Sequence, residues 1–313
     1  MKCLVTGAGG YIGKSLVKRL ARENHKVIGL IHKSTPKDID SNVKYVHGDI
    51  TDRNKLSNII KDIDVIFHCA ALIKDYGPRE DFYKINYKGT KNLVLACESI
   101  KIKKFIFLSH IGYDSLIGNN YYAETKILSE KYLLNQYKIN RFPIVIIRPG
   151  NVYGPGAAIW VLKPLKSIKK NRIALINQGN GIFLHTYIDN LIDALIATMK
   201  TPGIIGESFD ITDGDNSITW GRYLNDLSMI ITGSQIKKNF STKSALIIGK
   251  LMLILNRIFK VEPWITPTAV NIFSNQKEIS IEKAKKLLNY EPKVDYSEGI
   301  EQIKKWLKSE NYL

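Results

Sequence analysis

The chain has few cysteines, and their pattern does not indicate a secreted or metal-binding protein. Its 313 residues include three cysteines, Cys3, Cys69 and Cys97, each isolated in an apolar segment. Such thiols are typical of a reduced core and do not suit a disulfide framework or a cysteine-based metal site, so we predict no metal. No charged-then-apolar leader precedes the first apolar run, so we predict no secretory signal and expect a cytoplasmic location.

Acidic residues are also scarce relative to basic ones. The chain has 46 Lys and Arg against 29 Asp and Glu, a net charge of +17. Such a balance suits nucleic acids, anionic membrane surfaces or phosphorylated small molecules. The basic residues are spread along the chain, however, and no nucleic-acid-binding motif occurs. Charge without such a motif explains only non-specific binding, so we predict a small-molecule substrate and no specific nucleic-acid partner.

What the chain does have is a glycine-rich turn between a predicted strand and a predicted helix. Residues 1–6 form a short apolar run, Gly7, Gly10 and Gly13 follow it, and residues 15–21 have helical spacing. Glycines let the backbone approach a pyrophosphate, whose charge is stabilised by the free N–H groups at the helix N-terminus. This order predicts a dinucleotide site. The alternative is a tight turn that needs glycine only for its backbone angles.

The predicted second strand, residues 25–33, ends without an acidic residue. An Asp or Glu at that place holds the ribose hydroxyls of NAD, whereas a basic residue accommodates the 2′-phosphate of NADP. The strand ends in His32 and Lys33, and the nearest acids, Asp38 and Asp40, lie in the loop beyond. The pattern favours NADP(H) as the preferred cofactor and leaves NAD(H) as the alternative.

Further apolar runs alternate with helix-patterned segments. With their exits, they occupy residues 43–52, 64–71, 103–109 and 143–156. Strands that alternate with helices in this way are typical of an α/β fold with a doubly wound parallel sheet.

Tyr122 and Lys126 are spaced one helical turn apart, which places them on the same face of a predicted helix. A phenol with its ordinary pKa of about 10 is a poor acid or base at neutral pH. A neighbouring cation, together with a cationic nicotinamide ring, would lower that pKa. Tyr122 is therefore predicted to be the acid/base of a hydride transfer, with Lys126 as its electrostatic partner. On a solvated helix the same spacing would have no function.

These motifs resemble the extended short-chain dehydrogenase/reductase superfamily and its NAD(P)-dependent epimerase/dehydratase family, with features of nucleotide-sugar epimerases and of 3-beta-hydroxysteroid dehydrogenases. The matching segments are Thr6-Gly7-x-x-Gly10-x-x-Gly13, Gly48-Asp49-Ile50-x-Asp52, His68-Cys69-Ala70-Ala71, Asn86-x-x-Gly89-Thr90, Tyr122-x-x-x-Lys126 and Arg148-Pro149 through Gly156. Later segments also match, so the resemblance covers essentially the whole chain. It implies a Rossmann doubly wound parallel sheet with a smaller C-terminal α/β substrate lobe.

The resemblance also implies which residues contact the cofactor. Lys126 would hold the nicotinamide ribose, Asp49 and Ile50 would border the adenine, the backbone after Pro149 would lie beside the carboxamide, and Asn86 would support the site. The full implied cofactor-binding set is Gly7, Gly10, Tyr11, Ile12, Gly13, His32, Lys33, Asp49, Ile50, Cys69, Ala70, Ala71, Asn86, Lys126, Pro149, Asn151 and Val152.

The chain departs from the family pattern at the end of the fifth strand. The family normally has Ser-Ser or Thr-Ser there, and the second serine polarises the substrate oxygen, but this chain has Ser109 and His110. Adjacent strand residues face opposite sides, which predicts that only one of the two reaches the substrate. An imidazole can donate the same hydrogen bond, so His110 either replaces the serine or indicates that the usual chemistry is relaxed. Both residues are catalytic candidates.

The second half of the chain carries fewer motifs. Residues 1–156, with returning segments around 180–215, are predicted to form the NAD(P)-binding Rossmann domain, and residues 157–313 mainly the substrate-binding lobe. The apolar segment 244–259 is too short for a confident membrane span. It is either a buried helix over the substrate pocket, a homodimer contact, or a helix that lies on an anionic membrane surface.

The sequence thus predicts an NAD(P)-dependent oxidoreductase or epimerase that transfers hydride at a secondary alcohol or ketone. The substrate is either a nucleotide sugar or a hydrophobic, steroid- or lipid-like ketone. The alternative is an NAD(P)-binding structural or regulatory protein with weak or no turnover. His110 supports that alternative, and the intact pair of Tyr122 and Lys126 argues against it.

Overall fold

Short runs rich in β-branched and aromatic residues form the strands of this protein, as their high β-propensity predicts. The structure is a computed structural model that describes residues 1–32, 42–112 and 120–313. Its strands are β1 Lys2–Thr6, β2 Lys26–Ile31, β3 Val43–His47, β4 Val65–His68, β5 Lys104–Leu108, β6 Ile144–Pro149, β7 Asn151–Tyr153, β8 Leu175–Ile176, β9 His185–Tyr187, β10 Ser208–Ile211 and β11 Asn239–Phe240.

Six of the twelve helices in the described ranges begin at a side chain that caps the helix N-terminus. Asp52 caps α2 by accepting a hydrogen bond from the backbone N–H of Lys55 at 3.2 Å. The helices are α1 Tyr11–Arg22, α2 Arg53–Ile59, α3 Arg79–Phe82, α4 Gly89–Ala96, α5 Tyr121–Asn140, α6 Lys163–Lys169, α7 Ile188–Lys200, α8 Trp220–Thr232, α9 Thr242–Phe259, α10 Pro267–Phe273, α11 Glu282–Leu288 and α12 Tyr296–Ser309. Within the described ranges, none of these helices combines the length and apolar character needed to span a bilayer.

Seven parallel strands form the main sheet, in the order β3-β2-β1-β4-β5-β6-β10. Strand β1 lies in its interior, where Leu4 is opposite Ile28 of β2 and Ile66 of β4. The chain winds outward from β1 first in one direction and then, from β4, in the other. The crevice at the carboxyl ends of β1 and β4 is therefore the topological switch point at which such sheets bind ligands.

Both faces of the sheet are covered by helices, which explains why its strands are almost continuously apolar. Val5 of β1 packs in one core with Leu16 of α1 and Leu191 of α7. Its neighbour Leu4 points to the opposite face, into a core that includes Leu93 of α4. The predicted α/β doubly wound parallel sheet is confirmed.

The chain beyond residue 156 contributes to the sheet and also extends outside it. Strand β10 returns to the sheet edge, where Ser208 is opposite Ile146 of β6. This return falls within the segment 180–215 that was predicted to come back. Strands β8 and β11 form a separate parallel pair, and α9 packs against α10. The boundary of a substrate-binding lobe at residue 157 remains a prediction.

Candidate active site

The glycine turn after β1 is shaped by close contacts between backbone segments. Gly7 has a positive φ of 69°, and a Cβ atom there would lie 2.9 Å from the backbone of Ala70 at the exit of β4. A Cβ atom on Gly13 would lie 2.2 Å from the carbonyl oxygen of Gly7. Packing alone therefore requires glycine at both positions. Gly10 is the N-cap residue of α1 and has no side chain that could accept a hydrogen bond from the first N–H groups of the helix. This helix N-terminus borders the cavity.

A series of buried hydrogen bonds connects the exit of β4 to Thr6 of β1 and supports the glycine turn. The backbone N–H of Ala70 donates to Thr6 Oγ1 at 3.1 Å, and Thr6 Oγ1 lies 2.7 Å from His68 Nδ1. His68 Nε2 lies 2.9 Å from Thr90 Oγ1, whose hydroxyl donates to the carbonyl of Asn86 at 2.6 Å. Burial lowers the pKa of His68 to about 3, so the ring is neutral. Its Nε2 then donates to Thr90 Oγ1, and its Nδ1 accepts from Thr6 Oγ1. The supporting roles of Thr6, His68 and Thr90 were not predicted, although all three residues lie in the motifs quoted above.

Asn86, which was predicted to support the site, lies behind the cavity wall. Its Oδ1 accepts a hydrogen bond from the backbone N–H of Leu72 at 2.7 Å, and its Nδ2 donates to the carbonyl of Leu72 at 3.2 Å. Nδ2 also lies 3.1 Å from Thr125 Oγ1 on α5. One buried side chain thus fixes the loop after β4 relative to the helix that carries Tyr122 and Lys126.

The ends of β2 and β3 meet through a contact between His32 and Asp49 that the sequence did not predict. His32 Nε2 lies 3.2 Å from Asp49 Oδ2, and both side chains are partly exposed at the cavity. Asp38 and Asp40, the acids that follow β2 in the chain, lie outside the described residues. Asp49 reaches His32 because β3 lies beside β2 in the sheet, with His47 opposite Ile31. Lys33, the second predicted basic residue, lies outside the described residues.

Tyr122 and Lys126 lie on the first turns of α5 and both line the cavity. Lys126 is 2% exposed, donates a hydrogen bond to the carbonyl of Leu108, and places its ammonium group 4.1 Å from the ring centroid of Phe107. Burial lowers the pKa of Lys126 to about 8, whereas burial raises the pKa of Tyr122 above its ordinary value. The predicted lowering of the phenol pKa is therefore absent from the protein by itself, because desolvation disfavours the phenolate.

Ser109 and His110 both line the cavity. Strand β5 ends at Leu108, so the alternation that predicted only one inward-facing residue does not apply to this pair. The His110 ring lies 5.2 Å from the ring of Tyr122, centroid to centroid. Burial, reinforced by Lys126, lowers the pKa of His110 to about 3, so this imidazole is neutral. A neutral imidazole can donate one hydrogen bond to an oxygen in the cavity.

The exit of β6 is held in place by an ion pair. The single Nε–H of Arg148 is shared between the two carboxylate oxygens of Glu130, at 2.9 and 3.1 Å, and Nη2 of Arg148 lies 2.5 Å from Glu130 Oε2. This pair connects β6 to α5, and it carries no predicted site role. Pro149, Asn151 and Val152 follow it and line the cavity.

One cavity of about 840 Å³ joins these elements. Its lining includes every predicted site residue described by the structure except Asn86, namely Gly7, Gly10, Tyr11, Ile12, Gly13, His32, Asp49, Ile50, Cys69, Ala70, Ala71, Ser109, His110, Tyr122, Lys126, Pro149, Asn151 and Val152. Residues beyond 156 complete it with a mainly apolar wall. That wall includes Ala157, Ala158, Ile159, Trp160, Ile173, Trp220, Leu224, Trp264, Ile265, Ala269, Ile272 and Phe273, together with the cations Lys163 and Arg172.

The cavity contains buried polar atoms that lack a protein partner. Within the described ranges, Tyr11 Oη, Ser109 Oγ, Asn151 Nδ2 and both ring nitrogens of His110 make no hydrogen bond. Buried polar groups are normally paired, so a run of unpaired ones along one cavity indicates a polar ligand. Together with the glycine turn and the open N-terminus of α1, these atoms fit a dinucleotide with a carboxamide at one end.

Comparison with known proteins extends this result. A family model described as "NAD dependent epimerase/dehydratase family" matches residues 3–211. The chain is similar to sterol-4-alpha-carboxylate 3-dehydrogenase, decarboxylating, of Mus musculus, with 26% identity over 96% of this chain and 89% of that protein. It is similar to 2-alkyl-3-oxoalkanoate reductase of Stenotrophomonas maltophilia, with 25% identity over 97% of this chain and 98% of that protein. Among solved structures, UDP-glucuronic acid 4-epimerase of Bacillus cereus, in complex with UDP-glucuronic acid and NAD, matches with a TM-score of 0.78 and 26% identity over 99% of each chain.

Proposed function

The chain belongs to the NAD dependent epimerase/dehydratase family, as its motifs predicted, and from this premise we propose that it interconverts a secondary alcohol and a ketone on an apolar carboxylic acid. The observation that carries the proposal is the composition of the substrate side of the cavity. Trp160, Trp220, Leu224, Ile265 and Phe273 line it. Burying the apolar part of a substrate against this wall is favourable by about 25 cal/mol per Å² of apolar surface removed from water.

The names of the two relatives point to one chemical class. The two names share the relative position of the carboxylate and the reacting oxygen. One is a sterol-4-alpha-carboxylate that reacts at its carbon 3, and the other is a 2-alkyl-3-oxoalkanoate. In each, the carboxylate is attached to the carbon next to the one that carries the reacting oxygen. In this protein, Lys163 and Arg172 line the apolar side of the cavity and offer charge to such a carboxylate. We infer a substrate with a 3-oxo or 3-hydroxy acid group on an apolar body.

The residues that would hold the cofactor are those of the glycine turn, His32 and Asp49, Cys69 to Ala71, Lys126, and the β6 exit. When bound, the nicotinamide supplies or accepts the hydride. The site's preference between NADP(H) and NAD(H) turns on His32. We propose that His32 favours the 2′-phosphate of NADP(H), and that the carboxylate of Asp49, 3.2 Å from its ring, reduces that preference.

We propose that Tyr122 donates and accepts the proton that accompanies hydride transfer. In reduction, the Tyr122 hydroxyl donates its proton to the substrate oxygen while the carbonyl carbon is reduced, and in oxidation the phenolate takes the proton from the alcohol. Burial raises the pKa of Tyr122, which favours the neutral phenol before the reaction. The positive charge of Lys126 would stabilise the phenolate that forms after the proton has left. His110 would donate a hydrogen bond to the same substrate oxygen and orient it toward Tyr122.

A second candidate substrate is a nucleotide sugar. The match to the Bacillus cereus epimerase in complex with UDP-glucuronic acid favours it. Lys163 and Arg172 would then take the two phosphates rather than a carboxylate. The apolar wall argues against this candidate. Trp220 Nε1 already donates a hydrogen bond to the carbonyl of Ile272 at 3.1 Å, and the side chain of Phe273 has no polar atom. Neither side chain can therefore hydrogen-bond the hydroxyl groups of a sugar.

The experiment begins with the purified full chain. Any bound nucleotide is released and identified. With added NADPH or NADH, turnover of a 2-alkyl-3-oxo acid is followed at the nicotinamide absorbance. Conversion of UDP-glucuronic acid is followed separately by chromatography of the sugar nucleotide, because epimerisation leaves the nicotinamide absorbance unchanged. We expect turnover of the oxo acid. Turnover of UDP-glucuronic acid alone would select the second candidate, and binding of nucleotide without turnover of either would favour the non-catalytic alternative.

A matched pair of variants tests the role of Tyr122. Tyr122→Phe should lower kcat by roughly 10²- to 10⁴-fold, the usual contribution of a positioned acid or base. Tyr121→Phe is the control, because Tyr121 is adjacent on α5 but packs against Phe82 with ring centroids 6.0 Å apart. Equal kcat values for Tyr122→Phe and the unaltered protein would refute the assignment.

A further inference from the structure

Helix α9 presents an apolar ridge to solvent. Eight of the fifteen exposed large hydrophobic side chains among the described residues lie between residues 247 and 264. Six of them form the α9 ridge, and they are between 37% and 66% exposed: Ile247, Leu251, Ile254, Leu255, Ile258 and Phe259. Their spacing of three or four residues places them on one side of the helix. Contiguous exposed apolar surface of this kind marks an interaction site.

The opposite side of α9 is held against the protein. Ala245 and Gly249 are buried there. A Cβ atom on Gly249 would lie 2.9 Å from the backbone nitrogen of Pro267, the first residue of α10. The small residues let α9 approach α10 closely, so the helix cannot turn its ridge inward without losing this contact. The sequence left open a buried helix, and the structure buries only one face of it.

Three cations run beside the ridge. Lys243, Lys250 and Arg257 are all exposed and follow one another at intervals of seven residues. Two helical turns separate each from the next, so they form a row along the helix. No Asp or Glu occurs from residue 242 to residue 261. Along α9 the ridge is therefore bordered by cations alone, and the first acid after it is the exposed Glu262. This ridge matches an apolar partner with negative charge at its boundary.

The ridge continues to the mouth of the cavity. Trp264 follows α9 by five residues, is 50% exposed, and also lines the cavity. Ile73 and Ile159 are exposed and line it as well. The mouth is thus bordered by apolar side chains and lies a few residues beyond the C-terminal end of the ridge.

A second copy of this chain is the less suitable partner. Two α9 ridges placed together would bring two rows of cations close to each other with no acid in the segment to neutralise them. An anionic lipid surface has no such conflict. An amphipathic helix lies in the plane of the bilayer with its apolar face about 5–10 Å deep, while Lys and Arg reach the headgroup phosphates.

We propose that α9 docks this protein on an anionic lipid bilayer. The α9 ridge enters the acyl boundary, Lys243, Lys250 and Arg257 contact the lipid phosphates, and the cavity mouth at Trp264 opens toward the lipid. Docking by itself is independent of the reaction. The consequence that an apolar substrate enters from the bilayer rests on the proposed function.

The test is sedimentation of the purified full chain with vesicles. One set of vesicles is phosphatidylcholine, and the other is phosphatidylcholine with phosphatidylglycerol. We expect binding to the anionic vesicles, at least about tenfold weaker binding to the neutral ones, and release by high salt. Ile254→Asp with Ile258→Asp should reduce binding at least about tenfold. Lys250→Glu with Arg257→Glu should reduce it by a similar factor.

Each pair of substitutions has a matched control on another surface. Ile139→Asp replaces an isoleucine that is 68% exposed on α5. Lys305→Glu with Lys308→Glu reverses two exposed charges on α12. Both controls should sediment like the unaltered protein, and cofactor titration should show that every variant keeps its fold.

Several results would overturn the proposal: no sedimentation with either lipid, equal sedimentation with both lipids, or equal losses in the test and control variants. A concentration-dependent oligomer that the ridge variants dissociate, without vesicle binding, would select a second copy instead. Because vesicle binding needs no substrate, its failure leaves the proposed reaction standing, and a failed turnover assay leaves docking standing.

Discussion

The imidazole ring of His110 lies 5.2 Å from the phenol ring of Tyr122, centroid to centroid, at an interplanar angle of 58°. Neither ring nitrogen of His110 has a hydrogen-bond partner among the described residues. Burial lowers its pKa to about 3, so it stays neutral across the physiological range. The residue in the position of the usual serine is thus a neutral donor beside the predicted acid/base.

His110→Ala should therefore lower kcat by roughly 10- to 100-fold, because the substrate oxygen loses a hydrogen bond in the transition state. The dissociation constant of the cofactor should change little. His110→Ser should recover part of the rate, since a hydroxyl also donates. Steady-state kinetics with a 2-alkyl-3-oxo acid measure this. A loss in Ser109→Ala combined with full activity in His110→Ala would transfer the role to Ser109.

The charge of Lys126 should make cofactor binding depend on pH in the alkaline range. Burial lowers its pKa to about 8, so the ammonium group is present below that pH and is lost above it. Affinity for the cofactor should fall as the pH rises through about 8 to about 10, because the lysine then lacks the charge and one donor. Fluorescence titration of nicotinamide nucleotide across this range measures the effect.

Lys126→Arg is the control for this prediction, since a guanidinium group remains charged throughout the range. Its affinity should be weaker overall, because the longer side chain fits the buried site poorly, but flat with pH. A pH profile of Lys126→Arg that is identical to that of the unaltered protein would show that another group titrates.

His32 and Asp49 should control the choice between the two cofactors. His32→Ala removes the basic side chain that we assign to the 2′-phosphate, so NADPH should bind roughly three- to tenfold more weakly, while NADH should be unchanged. Asp49→Asn removes the carboxylate 3.2 Å from the ring and should shift the preference toward NADPH. Parallel titrations with both nucleotides measure the ratio. If NADH binds more tightly to the unaltered protein and His32→Ala leaves the ratio unchanged, the assignment of NADP(H) is wrong.

Asp213 should make stability depend on pH. Its carboxylate is buried near His185, with Nε2 and Oδ2 3.9 Å apart, and it accepts a hydrogen bond from the backbone N–H of Tyr187 at 2.8 Å. Burial raises its pKa to about 7. Between about pH 4 and about pH 7 the folded state therefore holds this proton more tightly than the unfolded state, so this group lowers the free energy of unfolding as the pH rises.

Asp213→Asn removes that contribution. From about pH 5 to about pH 7.5 its free energy of unfolding should improve relative to the unaltered protein by roughly 1–3 kcal/mol. Urea unfolding at the two pH values measures the change, and any constant cost of the lost acceptor cancels in the comparison. Asp215→Asn is the control, because its pKa is lowered by hydrogen bonds from Ser217, and it should give no such improvement. A difference between Asp213→Asn and the unaltered protein that does not vary with pH would contradict the assignment.

Several features of the site follow from the sequence because they depend on local pattern. The glycines at 7, 10 and 13 occur between an apolar run and a helix-patterned segment, and the turn forms where that order predicts it. The spacing of Tyr122 and Lys126 places both at the start of one helix. Parallel strands bring all their carboxyl ends to one edge, so motifs that follow successive strands meet at one cavity.

Other features depend on which elements become neighbours, and the tertiary structure alone decides that. The pairing of β2 with β3 brings Asp49 to His32, although acids closer in the chain follow β2. The end of β5 at Leu108 lets both Ser109 and His110 line the cavity, against the alternation expected of a strand. Desolvation raises the pKa of Tyr122, where the sequence suggested that charge would lower it.

Helix α9 also has features that follow from its sequence and others that only the tertiary structure decides. The sequence determined that residues 244–259 are apolar with cations among them, and it left open whether they face the core, a second copy or a membrane. Only packing could decide, because a helical pattern defines faces but not their partners. The close contact of Gly249 with Pro267 fixes one face against α10 and leaves Ile254 and its neighbours in solvent. The sequence therefore determined the amphipathic character of this helix, and the tertiary structure determined which side is free to bind.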